Sequence, residues 1–300
     1  MKLYAPKYYR NFKCIADKCR HSCCIGWEID IDESALCKYR ASKHPYASEV
    51  LNSIEQGESA HFRLCEGERC PHLNEKGLCN IILNLGEGYL CDICREHPRF
   101  YNSVVGGSEV GLGLACVTAC RLVLSSDEYT DIIEIGELCG ESDCEYSISE
   151  KREAIYKILS DREKTYAERL LHIQKSYGVS PSFKSDGEWR ELLDGLEYLD
   201  PAHRGLFSVY SSELSENEMH ACELERALAY FIYRHCGKAQ SDAELREYLG
   251  FCLFCERLLA SAVRDGGVDI HTAARIISEE IEYSENNTED IVFEFYFTES

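Results

Sequence analysis

A chain of 300 residues with 45% hydrophobic and 28% charged side chains can bury a substantial core, in one large domain or two, and is not wholly disordered. Its formal net charge of −21 argues against nucleic acid as a partner, because phosphate binding needs Lys/Arg-rich surface and this field repels a polyanion. No run approaches the roughly 18 apolar residues of a membrane span, so no membrane partner is expected either.

The charge is uneven. Residues 1–100 carry fourteen Lys/Arg against fourteen Asp/Glu, residues 101–144 contribute −7 and residues 145–300 contribute −14. Such acidity permits attraction toward a basic partner and equally serves solubility. The opening Met1-Lys2-Leu3-Tyr4-Ala5-Pro6-Lys7 has charge but no apolar run of the length export needs, which predicts a cytoplasmic protein. Thiols stay reduced there, and structural disulfides are rare.

In chain order, residues 1–144 are punctuated irregularly by glycines, among them Gly26, Gly57, Gly67, Gly77, Gly86 and Gly106-Gly107. Short helices are predicted over 33–39, 46–55, 79–85 and 115–124, with one brief strand over 27–32. From about Ser147 the texture changes. Ile155, Ile158, Leu159, Tyr166, Leu170 and Ile173 recur at helical spacing, and Gly178 offers a stop. Asp200-Pro201 places a cap before a first-turn proline. Ser215 with Glu218, and Ser241 with Glu244, are capping-box patterns opening helices that carry Leu224–Ile232 and Leu245–Leu259 apolar positions. A last helix is predicted over 270–283, and the apolar 291–297 reads as a docked strand. The predicted fold is mainly α: an irregular cysteine-rich domain (1–144) with short helices and little strand, then an α-helical domain (145–300).

Fourteen of the eighteen cysteines fall in the first 144 residues. In a reducing compartment such density points to a metal centre. Cys14-x4-Cys19-x3-Cys23-Cys24 is followed by Cys70-Pro71, Cys79, Cys91-x2-Cys94 and Cys116-x3-Cys120. Zinc sites are commonly two tight Cys/His pairs, and His21, His72 and His97 are not spaced as finger ligands. Iron–sulfur clusters take four thiolates at wider separations, which favours them here, with zinc as runner-up. Adjacent Cys23-Cys24 can scarcely both bind one ion. Cys37, Cys65, Cys139 and Cys144, and likewise Cys252 and Cys255, read as small packing residues. No GxGxxG follows a strand, and no CxxxCxxC occurs.

Phe12-x-Cys14-x4-Cys19-x3-Cys23-Cys24-x2-Trp27-x-Ile29-x-Ile31-Asp32 resembles the opening motif of the flagellin lysine N-methylase family. Cys70-Pro71-His72-Leu73-Asn74, Gly77-Leu78-Cys79-x-Ile81, Leu85-Gly86-Glu87, Cys94-Arg95-x2-Pro98-Arg99 and Leu114-x-Cys116 continue that pattern. The central elements also resemble the wider zinc- or iron-chelating cysteine-cluster proteins, and Tyr230-Phe231-Ile232-Tyr233-Arg234 is similar to a helix in the methylases' second half. The resemblance implies a cytoplasmic enzyme moving methyl groups from S-adenosylmethionine to lysine ε-amines of a protein, flagellin above all, with a [4Fe–4S] cluster. It makes Cys14, Cys19, Cys23, Cys24, Cys70, Cys79, Cys94 and Cys116 the metal candidates, of which one cubane needs four. Cys65, Cys91 and Cys120 read as extras.

A lysine amine attacks only when neutral, which at pH 7 costs about 4.6 kcal/mol for a pKa near 10.4. A methylase must desolvate that amine or supply a base. Tyr4, Tyr8, Tyr9, Phe12 and Trp27 either line such a pocket, with Trp27 facing the cofactor sulfonium, or form plain core. Arg95 and Arg99 either bind a cofactor carboxylate or make surface salt bridges. Asp30 and Asp32 read as bases or caps, and no catalytic residue is named. Two other classes stay open: a metal-binding or redox-sensing protein without methyl transfer, and a zinc-stabilised interaction module.

Overall fold

A computed structural model describes residues 1–57, 59–215 and 218–296. The chain divides into two compact units, a small one of Lys13–Pro98 and a large one of Met1–Phe12 with the chain from Arg99 onward. The division differs from the expected boundary at 144. Residues 99–144 and the first dozen residues supply strands and a helix to the large unit, through pairings between segments about a hundred residues apart.

The large unit opens with β1 (Lys2–Pro6). The small unit then contributes α1 (Glu33–Ala41), α2 (Pro45–Asn52), a hairpin of β2 (Ile54–Gln56) and β3 (Ala60–Phe62), α3 (Asn80–Leu85) and α4 (Asp92–Glu96). Three of these helices stand where the apolar spacing put them. Asp32 starts α1 as its N-cap: its carboxylate accepts from Ala35 N at 2.9 Å, Ser34 Oγ at 2.6 Å and, from the start of α4, Asp92 N at 2.7 Å. Pro45 occupies the first turn of α2. The strand predicted over 27–32 is reduced to one bridge, Asp30 to His61. Its alternation is nonetheless real, since Ile29 and Ile31 are buried with Leu36, Val50, Phe62 and Ile81 in the small unit's core.

Burial works against the charge of Asp32, yet bonds from Ser34 and the Asp92 and Ala35 amides hold its pKa at about 2. Asp32→Ala should therefore cost the small unit about 1–2 kcal/mol, the usual worth of a cap, read as a lower urea midpoint. An unchanged midpoint would show the cap to be idle.

The large unit continues with β4 (Arg99–Val104), β5 (Gly107–Leu112), α5 (Val117–Ser125) and β6 (Ile132–Glu137). Its sheet runs β4-β5-β1-β6, with β1 parallel to β5 and antiparallel to β6. The expectation of little strand before residue 144 holds in part: the six strands among the described residues all lie there, each of three to six residues. The glycines that obscure β5 are required by packing, since a Cβ on Gly111 would come within 2.1 Å of the Phe100 ring on the paired strand.

Helices follow: α6 (Ile148–Leu159), α7 (Tyr166–Tyr177), α8 (Asp186–Gly195), α9 (Arg204–Phe207), α10 (Ala221–His235), α11 (Asp242–Asp265), α12 (Ile270–Ile277), a π turn (Ser278–Glu282) and α13 (Glu285–Tyr296). The periodicity across 155–173 belongs to two helices, not one, because Thr165 and Glu168 form a capping box that restarts the chain at α7. Gly178 ends α7 in the left-handed region, and Ser241 caps α11. α10 begins after His220, not at Ser215, and Glu218 instead pairs with Arg257 at 3.0 Å. α11 is buried on all sides from Leu249 to Ala262 and packs against α10, α12 and α13.

The strand expected over 291–297 is a helix over its described part, and Phe297 lies outside the described residues. Ile291 and Phe295, four apart, are fully buried while Phe293 is 59% exposed, so the helical period decides against the aromatic strand propensity. Among the described residues no helix is long and apolar enough to cross a membrane.

Candidate metal centre in the small unit

Four of the eight motif cysteines pack on the small unit's core together with Cys91: Cys70 and Cys91 are buried within it, and Cys24, Cys79 and Cys94 are partly buried against it. Local structure brings them there. Cys70 N donates to Cys24 O at 2.9 Å, beside a bridge between Ile25 and Arg69. The chain then turns on Asn74, whose side-chain oxygen accepts from Lys76 N and Leu78 N, with Gly77 at φ +74°. That turn returns Cys79 to a bridge with Leu73, at the head of α3. Cys91 precedes α4 and Cys94 lies three residues on, so both sulfurs share one side of that turn.

The sulfurs attract main-chain donors. Cys70 is hydrogen-bonded by the His72 backbone, Cys79 by those of Ile81 and Ile82, and Cys91 by that of Cys94. Burial pushes the Cys70 thiol up to about 12, with Cys24, Cys79 and Cys91 adding to the effect, and raises Cys79 as well. The side-chain bond between Cys91 and Cys94 lowers the former and raises the latter. Cys24 falls to about 7, chiefly through its bond with Cys23. Close thiols in an apolar shell cannot all ionise without a counter-charge, which a multivalent cation provides.

His72 is excluded from the donor set by its own bonds. Ser53 Oγ donates to Val50 O at 2.6 Å, so it accepts from His72 Nε2 at 2.9 Å, and Nδ1 accepts from Tyr46 Oη at 2.9 Å. Burial lowers its pKa from 6.5 to about 4. The unfolded chain therefore binds this proton more readily, so stability is full above pH 6.5 and falls as pH drops toward 4. His235 in the large unit, also held at about 4 by burial, acts in the same direction. Each should cost about 2–3 kcal/mol between pH 6.5 and 4.5. Urea midpoints across that range test this. A flat profile, or one unaltered by His72→Gln, would contradict it.

The other predicted residues lie elsewhere. Cys14 and Cys23 are exposed and Cys19 half-buried in the small unit's first loop; Cys19 Sγ donates to His21 O at 3.0 Å. Cys116 occupies the N-cap position of α5 in the large unit, with no side-chain capping bond. Cys37, Cys65 and Cys139 are exposed, not packed as expected, whereas Cys252 and Cys255 are fully buried in α11. Trp27 donates from Nε1 to Cys23 O at 2.6 Å and meets the His97 ring edge-on at 5.4 Å. Arg95 pairs with Asp92 and, at 3.2 Å, with Glu96 on the surface. Arg99 belongs to the large unit, where Nε donates to Tyr9 Oη at 2.8 Å and the guanidinium lies over the Tyr9 and Phe12 rings. Tyr8 is large-unit core, 3% exposed. The aromatic stripe of the opening motif is thus divided between the units. Cys91, an extra to the motif pattern, stands in strict CxxC spacing with Cys94.

Among the described residues, no three His, Cys, Asp or Glu side chains converge closely enough to hold a single metal ion as they stand. By donor chemistry the five thiols suit sulfur-ligated iron or zinc. Two hollows of about 360 and 420 Å³ in the large unit, lined by residues such as Arg190, Arg204 and Arg264, contain none of the metal- or cofactor-binding candidates expected from the sequence.

The molecule is thus a mainly helical protein with a small cysteine-rich unit that gathers thiols in its core. Comparison with curated proteins upholds the resemblance read from the motifs, at modest identity. The chain is 27% identical over 134 residues to proteins named lysine-N-methylase from Salmonella choleraesuis and Salmonella typhimurium, covering 41% of this chain and 32% of each of them. It is 27% identical over 143 residues to the flagellar biosynthetic protein FliU of Salmonella muenchen, covering 44% of this chain and 80% of that protein. The match therefore spans about a third of the length of those methylases. No protein-family model and no solved structure matches the chain.

Proposed function

We propose that the chain is a protein-lysine N-methyltransferase that uses S-adenosylmethionine, holds a [4Fe–4S] cluster in its small unit and acts on flagellin or another protein presenting lysines. The observation that carries this reading is the packing of four motif cysteines on one core, in a chain whose curated relatives include named lysine-N-methylases. When bound, S-adenosylmethionine supplies a methyl on a sulfonium, and the cluster a compact charge fixed by sulfur.

The chain's own side chains would do the rest. Four of the five thiols would hold the iron, and the apolar shell with Tyr39 would keep water away. Tyr39 stands beside Cys91 and Cys94 and donates to Tyr89 O at 2.7 Å. Asp32, held at about 2, is too weak a base to take a lysine proton. Asp30, bonded by Ser59 Oγ at 2.6 Å, is the remaining carboxylate of the two. Calorimetry of S-adenosylmethionine binding to the reconstituted protein, followed by transfer of labelled methyl to flagellin, tests the proposal. Absence of binding with the cluster intact would overturn it.

One observation favours a second reading. The match covers only 32% of the named methylases, which leaves room for a metal-binding or redox-sensing protein, with iron–sulfur or zinc, that transfers no methyl group. Metal retention without S-adenosylmethionine binding is its signature.

A further inference from the structure

We infer that Cys91, which the motif pattern leaves out, is one of the thiolates that hold the small unit's metal centre, and that exposed Cys23 is not. The inference rests on the iron–sulfur reading above and assigns ligands within it.

Cys91 is 0% exposed and packs in the small unit's core with Cys70, against Cys24, Cys79 and Cys94. An isolated buried cysteine behaves as a small hydrophobe, and Cys120 shows what that looks like: equally buried, it donates from Sγ to His271 O at 3.5 Å in the large unit. Cys91 differs in kind. Its sulfur accepts a main-chain bond from Cys94 and a second from the Cys94 side chain, and it adjoins Cys70 and Cys79. A cysteine placed among four others on one core belongs to a donor set of the kind that sulfur-ligated iron or zinc takes. The position is also braced. Asp32 fixes the start of α4 through the Asp92 amide at 2.7 Å, while Arg95 N closes back on Cys91 O at 3.0 Å. Cys23, by contrast, is exposed, and its neighbour Cys24 is the member of that adjacent pair packed against the core.

The experiment is anaerobic reconstitution of the protein with ferrous iron and sulfide. Iron and acid-labile sulfide are then measured in the wild type and in Cys91→Ser, Cys23→Ser and Cys37→Ser. We expect Cys91→Ser to lose most of the iron and Cys23→Ser and Cys37→Ser to retain it. Wild-type iron content in Cys91→Ser would overturn the inference and leave the iron–sulfur reading standing. A wild type that takes up no iron would overturn both. Should Cys91→Ser fail to fold, the wild type decides by alkylation and mass mapping in mild urea. Partners that only orient metal ligands already contribute roughly 10–100-fold to metal affinity, so loading with iron and sulfide should slow modification of the ligand Cys91 roughly tenfold or more and leave exposed Cys37 unchanged. Equal rates for Cys91 with and without iron would overturn the assignment.

Discussion

Glu225→Ala should destabilise the large unit by about 3–5 kcal/mol, the cost of leaving a buried charge without its partner. Glu225 sits on α10 with 1% of its surface exposed. It accepts from Arg162 at 2.5 and 2.7 Å, from Arg169 at 2.6 Å and from the Tyr129 hydroxyl. Arg169 is 5% exposed; without the carboxylate it keeps the Leu159 carbonyl, a long bond to the Thr165 carbonyl at 3.4 Å and the Tyr166 ring at 5.4 Å, none of which carries a countercharge. Arg162 is different, since 61% of its side chain is open to solvent. Arg162→Ala should therefore cost about 1 kcal/mol or less, the ordinary worth of an exposed pair. Glu225→Ala breaks two ion pairs and strands the buried Arg169, whereas Arg162→Ala breaks one and leaves Glu225 its bonds from Arg169 and Tyr129, so the inequality reports the cost of the stranded buried charge. Urea midpoints of the two variants provide the check. Equal losses, or a loss below about 1 kcal/mol for Glu225→Ala, would contradict the burial argument.

The second large effect is functional. On the proposed reading, Cys70→Ser should reduce iron binding by roughly tenfold or more, since even partners that only orient metal ligands cost 10–100-fold when removed. S-adenosylmethionine binding should fall with it. Cys70 is 6% exposed, bonded by the His72 backbone and flanked by Cys24, Cys79 and Cys91. Cys252→Ser is the fitting comparison. Cys252 is fully buried in the large unit, 3.9 Å from Cys236, so its loss should lower stability without releasing iron. Iron analysis and thermal unfolding of both variants separate the two effects. Iron retained by Cys70→Ser and lost by Cys252→Ser would reverse the placement of the centre.

Much of the helical structure was legible because it depends on local chemistry. Asp32, Ser241 and Gly178 act where their side chains or conformational freedom predict. The sheet was not legible. β5 pairs in parallel with β1, more than a hundred residues earlier, and its glycines lack side chains because Phe100 and the Lys2 carbonyl occupy the space. A short strand with that composition has no alternation to read. The C-terminal helix was misread for the opposite reason. Its aromatic residues favour a strand, but burial of Ile291 and Phe295 and exposure of Phe293 follow a period near four. At the candidate site, the motifs give eight cysteines with no order among them. Spacing distinguishes sequence neighbours, whereas burial separates Cys24 from Cys23 and joins Cys91 to Cys94. The division of the chain also assigns Cys116 and Arg99 to a different unit from the other candidates, which no spacing rule reveals.

Chemical analysis of the anaerobically purified protein for iron, acid-labile sulfide and zinc bears most directly on whether the small unit's thiols organise around iron. A [4Fe–4S] centre predicts about four irons and four sulfides per chain, with visible absorption near 400 nm that dithionite bleaches. Colourless protein holding zinc alone, or no metal after anaerobic purification and reconstitution, would contradict it.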